Sequence, residues 1–241
     1  MNKFAISAAA LALAALGAWT PSASAALIYG TSAIGASPRT SDYGTVSGGG
    51  FRTFDNFTSA SGASVERVSW RGLWFGNTTP APAPAPLVDT WEIAFHASGG
   101  GAPGAVLWSQ NIAPASVGAT FAGTGVLNAG GSYNVSLYDY VLDLPAVFNL
   151  AAGTEYWISV TAIADDFNPA FAILGATGGD DASYQQTLGA GMAVVSGQSV
   201  ARDRAFRIEG TFTVPEPGTL ALGGIALAAL AGLRGRRTSP R

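Results

Sequence analysis

An all-β fold, an antiparallel two-sheet sandwich of jelly-roll-like form, is what the sequence predicts for the stretch between its two ends. Three observations carry that expectation: short segments that alternate apolar and polar residues with period two, Gly-rich punctuation between them, and no long 3.6-residue periodicity inside the body. Strands that are apolar on one face only imply antiparallel pairing in two packed layers.

The elements follow in chain order. From Val65, residues Val68, Trp70, Gly72 and Trp74 share one face while Arg67, Ser69 and Arg71 share the other. Pro80-Ala81-Pro82-Ala83-Pro84-Ala85-Pro86 is a polyproline-type run that cannot donate to a ladder, so Thr78 to Leu87 is expected as a stiff exposed loop within one domain. Beyond it, Trp91, Ile93 and Phe95 alternate with Thr90, Glu92, Ala94 and His96, and Trp108 follows Val106 and Leu107 in a further strand. The segments Tyr133 to Leu142, Glu155 to Ile163 and Ala205 to Thr213 repeat the pattern, with Tyr156, Ile158 and Val160, and Phe206, Ile208 and Phe212, as inward sets. Gly48-Gly49-Gly50, Gly99-Gly100-Gly101, Asn128 to Gly131 and Gly178-Gly179-Asp180-Asp181 supply the turns.

Composition removes several functions. Residues 26–213 hold seven Arg, no Lys and fourteen Asp plus Glu, a balance of about −7 that repels nucleic acid. There is no Cys, and His96 is the only imidazole, so no Cys/His dyad and no multi-His metal centre can form.

Both ends read as addresses. Met1-Asn2-Lys3 opens a positively charged start, Phe4 to Trp19 is an apolar signal helix, and Ala23-Ser24-Ala25 offers the small-x-small site of signal peptidase, placing cleavage after Ala25 and a signal peptide over 1–25. The body is expected over 26–213. At the other end, Val214-Pro215-Glu216-Pro217-Gly218 precedes an uncharged hydrophobic helix over 219–233 and an Arg-rich tail, 234–241, with Arg234, Arg236 and Arg237 held on the cytoplasmic side. Leu220 to Leu233 spans about 21 Å as a helix, short of the roughly 30 Å hydrocarbon core, which suits transient membrane residence. Two prolines around Glu216 keep the motif extended, in the form proteases bind.

A Val214-Pro215-Glu216-Pro217 motif, a short apolar helix and an Arg-rich terminus in this order resemble the PEP-CTERM sorting signal. That resemblance implies processing near the motif by exosortase, a membrane protease, and delivery to the cell envelope, outer surface or extracellular matrix, in a context of exopolysaccharide and biofilm. The strand motifs Trp70-Arg71-Gly72, Trp91-x-Ile93-x-Phe95 and Tyr156-Trp157-Ile158 are similar to those of β-sandwich ectodomains of the same sorting class.

Within the body the chemistry is sparse. His96 is expected on the solvent face of its strand. Trp157 alternates with Glu155, Ser159 and Thr161, so it points away from the core, where it either forms a sugar-stacking platform beside Glu155 or is covered by a loop. Asp165, Asp166, Asp180 and Asp181 sit in turns and are weak candidates for a Ca²⁺ site. Glu66, Glu92, Glu155 and Asp89 are the acids from which a glycosidase pair could be drawn. No cofactor is implied. The expectation is a non-enzymatic surface or matrix protein with a structural or adhesive role; a carbohydrate-binding module is the alternative, and a surface glycoside hydrolase stands third.

Overall fold

The computed structural model describes residues 25–34, 37–75, 88–128, 132–165 and 169–213. Residues 1–24 of the expected signal peptide, including Ala23, the whole expected Pro-Ala loop, residues 35–36, 129–131 and 166–168, and the segment 214–241 of the sorting signal lie outside the described residues.

Strands account for nearly every element. In chain order they are β1 (Ala26–Gly30), β2 (Ser32–Ala33), β3 (Arg39–Thr40), β4 (Asp42–Gly44), β5 (Gly49–Thr58) and β6 (Ala63–Trp74). After the Pro-Ala segment come β7 (Thr90–Ser98), β8 (Pro103–Ile112), β9 (Gly118–Asn128), β10 (Ser132–Leu150) and β11 (Glu155–Ala164). The last six are β12 (Phe171–Ile173), β13 (Gly175–Thr177), β14 (Ala182–Leu188), β15 (Val194–Ala201), β16 (Asp203–Arg204) and β17 (Phe206–Phe212).

Two seven-stranded sheets face each other. The front sheet runs β1-β17-β6-β10-β9 with β12 and β3 attached, and the back sheet runs β15-β14-β5-β4-β11-β7-β8. A small third sheet, β16-β13-β2, completes the body. Strands from both sides of the Pro-Ala segment interleave in both large sheets, β6 between β17 and β10 and β5 beside β11 and β14.

The core lies where the alternation expects it. Val68, Trp70 and Trp74 from β6 meet Trp91, Ile93 and Phe95 from β7 and Tyr156, Ile158 and Val160 from β11, all buried. At its centre Trp70 stacks on Tyr140 with ring centroids 5.4 Å apart, while Trp91 meets Phe171 edge to face at 4.9 Å. Trp74 Nε1 donates to Tyr140 Oη at 3.0 Å, so the buried indole is not left unpaired. Gly72 is required by this cluster: a Cβ there would come within 2.5 Å of the Phe171 ring.

Two departures have local causes. β10 runs on to Leu150, past the expected Leu142, and slips register against β6 between Asp143 and Phe148, where Pro145 cannot donate to the ladder. Phe212, expected in the inward set, keeps 38% of its surface exposed because it ends the last strand at the open rim of the sandwich.

Candidate functional site

On β11, Trp157, Ser159 and Thr161 alternate with the core residues and so face the outer side of the back sheet. That side was expected either to be open at Trp157 or to be covered there by a loop. These three side chains are 2%, 1% and 0% exposed. β5 and β7 flank β11, and their side chains reach across it. At one end Glu155 accepts from Asn56 Nδ2 at 3.1 Å and from Ser98 Oγ. Midway His96 and Phe54 meet edge to face with centroids 5.1 Å apart. At the other end Arg52 donates to Glu92, level with Thr161 in the register. Tyr184 of β14 closes the layer with edge contacts to Phe54 and Trp157.

This bridging corrects two expectations. Trp157 is not a sugar platform, since its ring is covered and its Nε1 has no hydrogen-bond partner. His96 is not a solvent-face residue: it is 4% exposed, its Nδ1 lies 3.3 Å from the Gly104 carbonyl, and burial pushes the imidazole pKa down, with Arg52 adding to the effect. Alternation reports the side of a sheet on which a residue lies. It does not report whether longer neighbours close over it.

The acids are also disposed by this layer. Glu92 pairs with Thr161 across the register, and Glu155 lies six residues from Thr161 on β11, so the two are separated by roughly 20 Å along the strand. Glycosidase pairs need about 5–9.5 Å. Glu66 belongs to the front sheet, where Thr211 Oγ1 donates to it at 2.9 Å.

Among the turn acids, Asp165 accepts from Thr45 Oγ1 at 3.3 Å. Asp180 accepts from Asn56 Nδ2 and from the backbone of Ala182, and Asp181 sits at φ 63° with its N–H donating to Asp203. They act as turn-building groups. Asp166 lies outside the described residues.

Of the buried ionisable groups that escaped the sequence reading, Asp42, Asp55 and Arg204 are the most enclosed, and nothing in the alternation marks them. Asp42 is fully buried; the Phe171 N–H donates to its Oδ2 at 2.7 Å, yet burial dominates and raises its pKa to about 7. Asp55 is fully buried as well and accepts from Tyr29 Oη at 3.0 Å; burial holds its pKa well above the usual carboxylate range. Arg204 is completely enclosed, and its guanidinium donates to the carbonyls of Ser37, Ala201 and Arg202 and to Ser183 Oγ. Burial lowers its pKa to about 10. Asp42 and Asp55 thus tie the back sheet to the front sheet through Phe171 and Tyr29, and Arg204 ties the small sheet to the back sheet through Ser183 and Ala201.

The outer front sheet is different. Arg67 pairs with Asp143, Arg71 with Asp139 in a two-pronged bond, and Arg207 with Glu209. An open groove of about 510 Å³ runs beside them, lined by Thr31, Ser32, Ser69, Arg71, Asp139 and Arg207 among others.

The ends of the body meet at one pole. β1 pairs antiparallel with β17, so Ala26 lies opposite Gly210, and the Thr213 N–H donates to the Gly62 carbonyl at 2.9 Å. The described body therefore begins and ends at the same pole, at Ala25 and Thr213. Residues 213–237 match the family model of the PEP-CTERM protein-sorting motif, so this chain carries an exosortase sorting signal and is an exported, envelope-targeted protein. The match spans about a tenth of the chain and identifies the address, not the role of the body. No curated protein matches the chain.

Proposed function

We propose that this protein is a non-enzymatic structural or adhesive component of the cell surface or extracellular matrix. In this reading signal peptidase cleaves after Ala25, exosortase acts near Val214-Pro215-Glu216-Pro217, and the body then serves in an exopolysaccharide or biofilm context. The observation that carries it is the sorting motif beginning where β17 ends. Before processing, the short apolar segment holds the motif at the depth of a membrane protease, and Arg234, Arg236 and Arg237 keep the terminus cytoplasmic. Two features of the body support a scaffold role. Its outer front charges are satisfied in pairs, Arg67–Asp143 and Arg71–Asp139 across strands and Arg207–Glu209 along β17, and the acids Glu92 and Glu155 are engaged and far apart.

Intact mass of the protein from its producing cells, with and without Glu216→Ala, tests the processing. Loss of the first 25 residues and of the Arg-rich tail, with the tail kept in the variant, is the expected result. A native mass that retains the tail makes the C-terminus a permanent anchor and overturns the exosortase step.

Polysaccharide contact is the second reading, and the front-sheet groove favours it over Trp157, because hydroxyl, guanidinium and carboxylate groups converge there in the open. Retention on matrix polysaccharide should fall in a folded Arg71→Ala variant, and unchanged retention removes the groove from consideration.

A further inference from the structure

Among the described residues, the back sheet ends in two strands that each pair on one side only, β15 and β8. We propose that a second copy of this chain adds there head to tail, β8 of one copy pairing antiparallel with β15 of the next, so that copies extend into an open filament with a continuous back sheet.

Direction is the first argument. β4 is a three-residue insert that runs parallel to one end of β11; along the rest of β11, β5 pairs with it directly, so from β15 through β14, β5, β11 and β7 to β8 every neighbouring pair is antiparallel, and these six strands leave the two edges running in opposite senses. Copies stacked in the same orientation thus bring β8 and β15 together antiparallel.

Chemistry is the second. Neither Val194–Ala201 nor Pro103–Ile112 contains a charged residue, although natural edges are commonly blunted by charge. Seven of the eight β15 residues are exposed, which means both of its faces are open, and seven of the ten in β8 are exposed too. Val194, Val195, Val106 and Leu107 put exposed apolar side chains on both edges. Such β-branched and aliphatic residues suit cross-strand packing.

Sheet-edge contrast is the third. The front sheet's edges are poorer templates by length and backbone conformation, since register slips occur at β8 and β15 as well: β1 is only five residues long, and β9 is broken by Gly123 at φ 120°. Because β8 and β15 are different surfaces, their pairing is heterologous and does not close on itself, which yields filaments.

The inference rests on the structural role proposed above and fails separately from it, since a monomer retained in the matrix would keep that role. The test uses the full chain purified in mild detergent. Wild-type protein should sediment as a concentration-dependent series and show filaments with an axial repeat of roughly 29 Å, six strands at about 4.8 Å each. Val195→Lys with Ser199→Lys blocks β15, and Val106→Lys with Gln110→Lys blocks β8; all four positions are exposed, so unchanged melting would show that both variants fold. Each variant alone should be monomeric, and an equal mixture should form dimers and nothing larger. A wild-type monomer at every concentration overturns the proposal, as does a dimer that survives the β8 substitutions, which would mean two-fold pairing of β15 with itself.

Discussion

Ala26 lies opposite Gly210 across β1 and β17, so the residue that follows the expected signal cleavage site is hydrogen-bonded into the strand that leads to the sorting motif. β17 is itself held on its other side by β6. The strand that carries the tail is thus anchored from both flanks, and the Thr213 contact with Gly62 is its last described tie.

Removal of the tail should leave stability untouched. Protein truncated after Gly218 and the full chain, compared in the same detergent, are expected to melt at the same temperature. A lower melting temperature for the shortened protein would show that residues beyond Gly218 pack on the body.

Gly72→Ala should destabilise the core. The added methyl meets the Phe171 ring, which is fully buried among Trp74, Trp91 and Tyr140 and has nowhere to move. Overpacking of this kind costs about 1–3 kcal/mol, read as a lower midpoint in urea. An unchanged midpoint would mean that the two sheets can part locally.

Asp42 makes stability depend on pH. Its carboxyl is about 3.8 when unfolded and about 7 when folded, so the folded state holds the proton more tightly. That contribution is complete below pH 3.8, declines as pH rises through the interval, and is gone above about pH 7. It amounts to on the order of 4 kcal/mol. Asp42→Asn, which still accepts from the Phe171 N–H, should flatten the pH 4–7 slope in denaturant titrations. A slope as steep as wild type would transfer the effect to Asp55, whose carboxyl is raised in the same direction.

Arg204→Lys should be poorly tolerated despite the retained charge. One ammonium cannot reproduce a planar group bonded to Ser37, Ala201, Arg202 and Ser183 at once, and the part-buried carbonyls lose a donor. We expect a loss of about 2–4 kcal/mol in urea unfolding. A loss below 1 kcal/mol would mean that the carbonyls find other donors.

Thr161→Val should behave in the opposite way. The Thr161 hydroxyl is fully buried beneath the Arg52–Glu92 pair and has no hydrogen-bond partner, so an apolar replacement of like shape removes an unpaid desolvation. Stability should hold or rise by up to about 1 kcal/mol, as a denaturation curve would reveal. A clear loss would point to an internal water bound to Oγ1.

Much was legible in the chain itself. Period-two alternation around Trp70, Trp91 and Ile158 determined which faces form the core, because a strand presents alternate residues to opposite sides whatever its partners are. Gly-rich turns and the terminal Val214-Pro215-Glu216-Pro217 segment determined the fold class and the address for equally local reasons. What only the tertiary structure decided is which strands become neighbours. β5 and β7 flanking β11 bury Trp157 and His96, β1 joining β17 brings the two ends to one pole, and β15 and β8 are left as edges. Each of these is a contact between residues far apart in sequence. Local periodicity carries no record of such contacts, since strand order is set by how the whole set of apolar faces is buried at once.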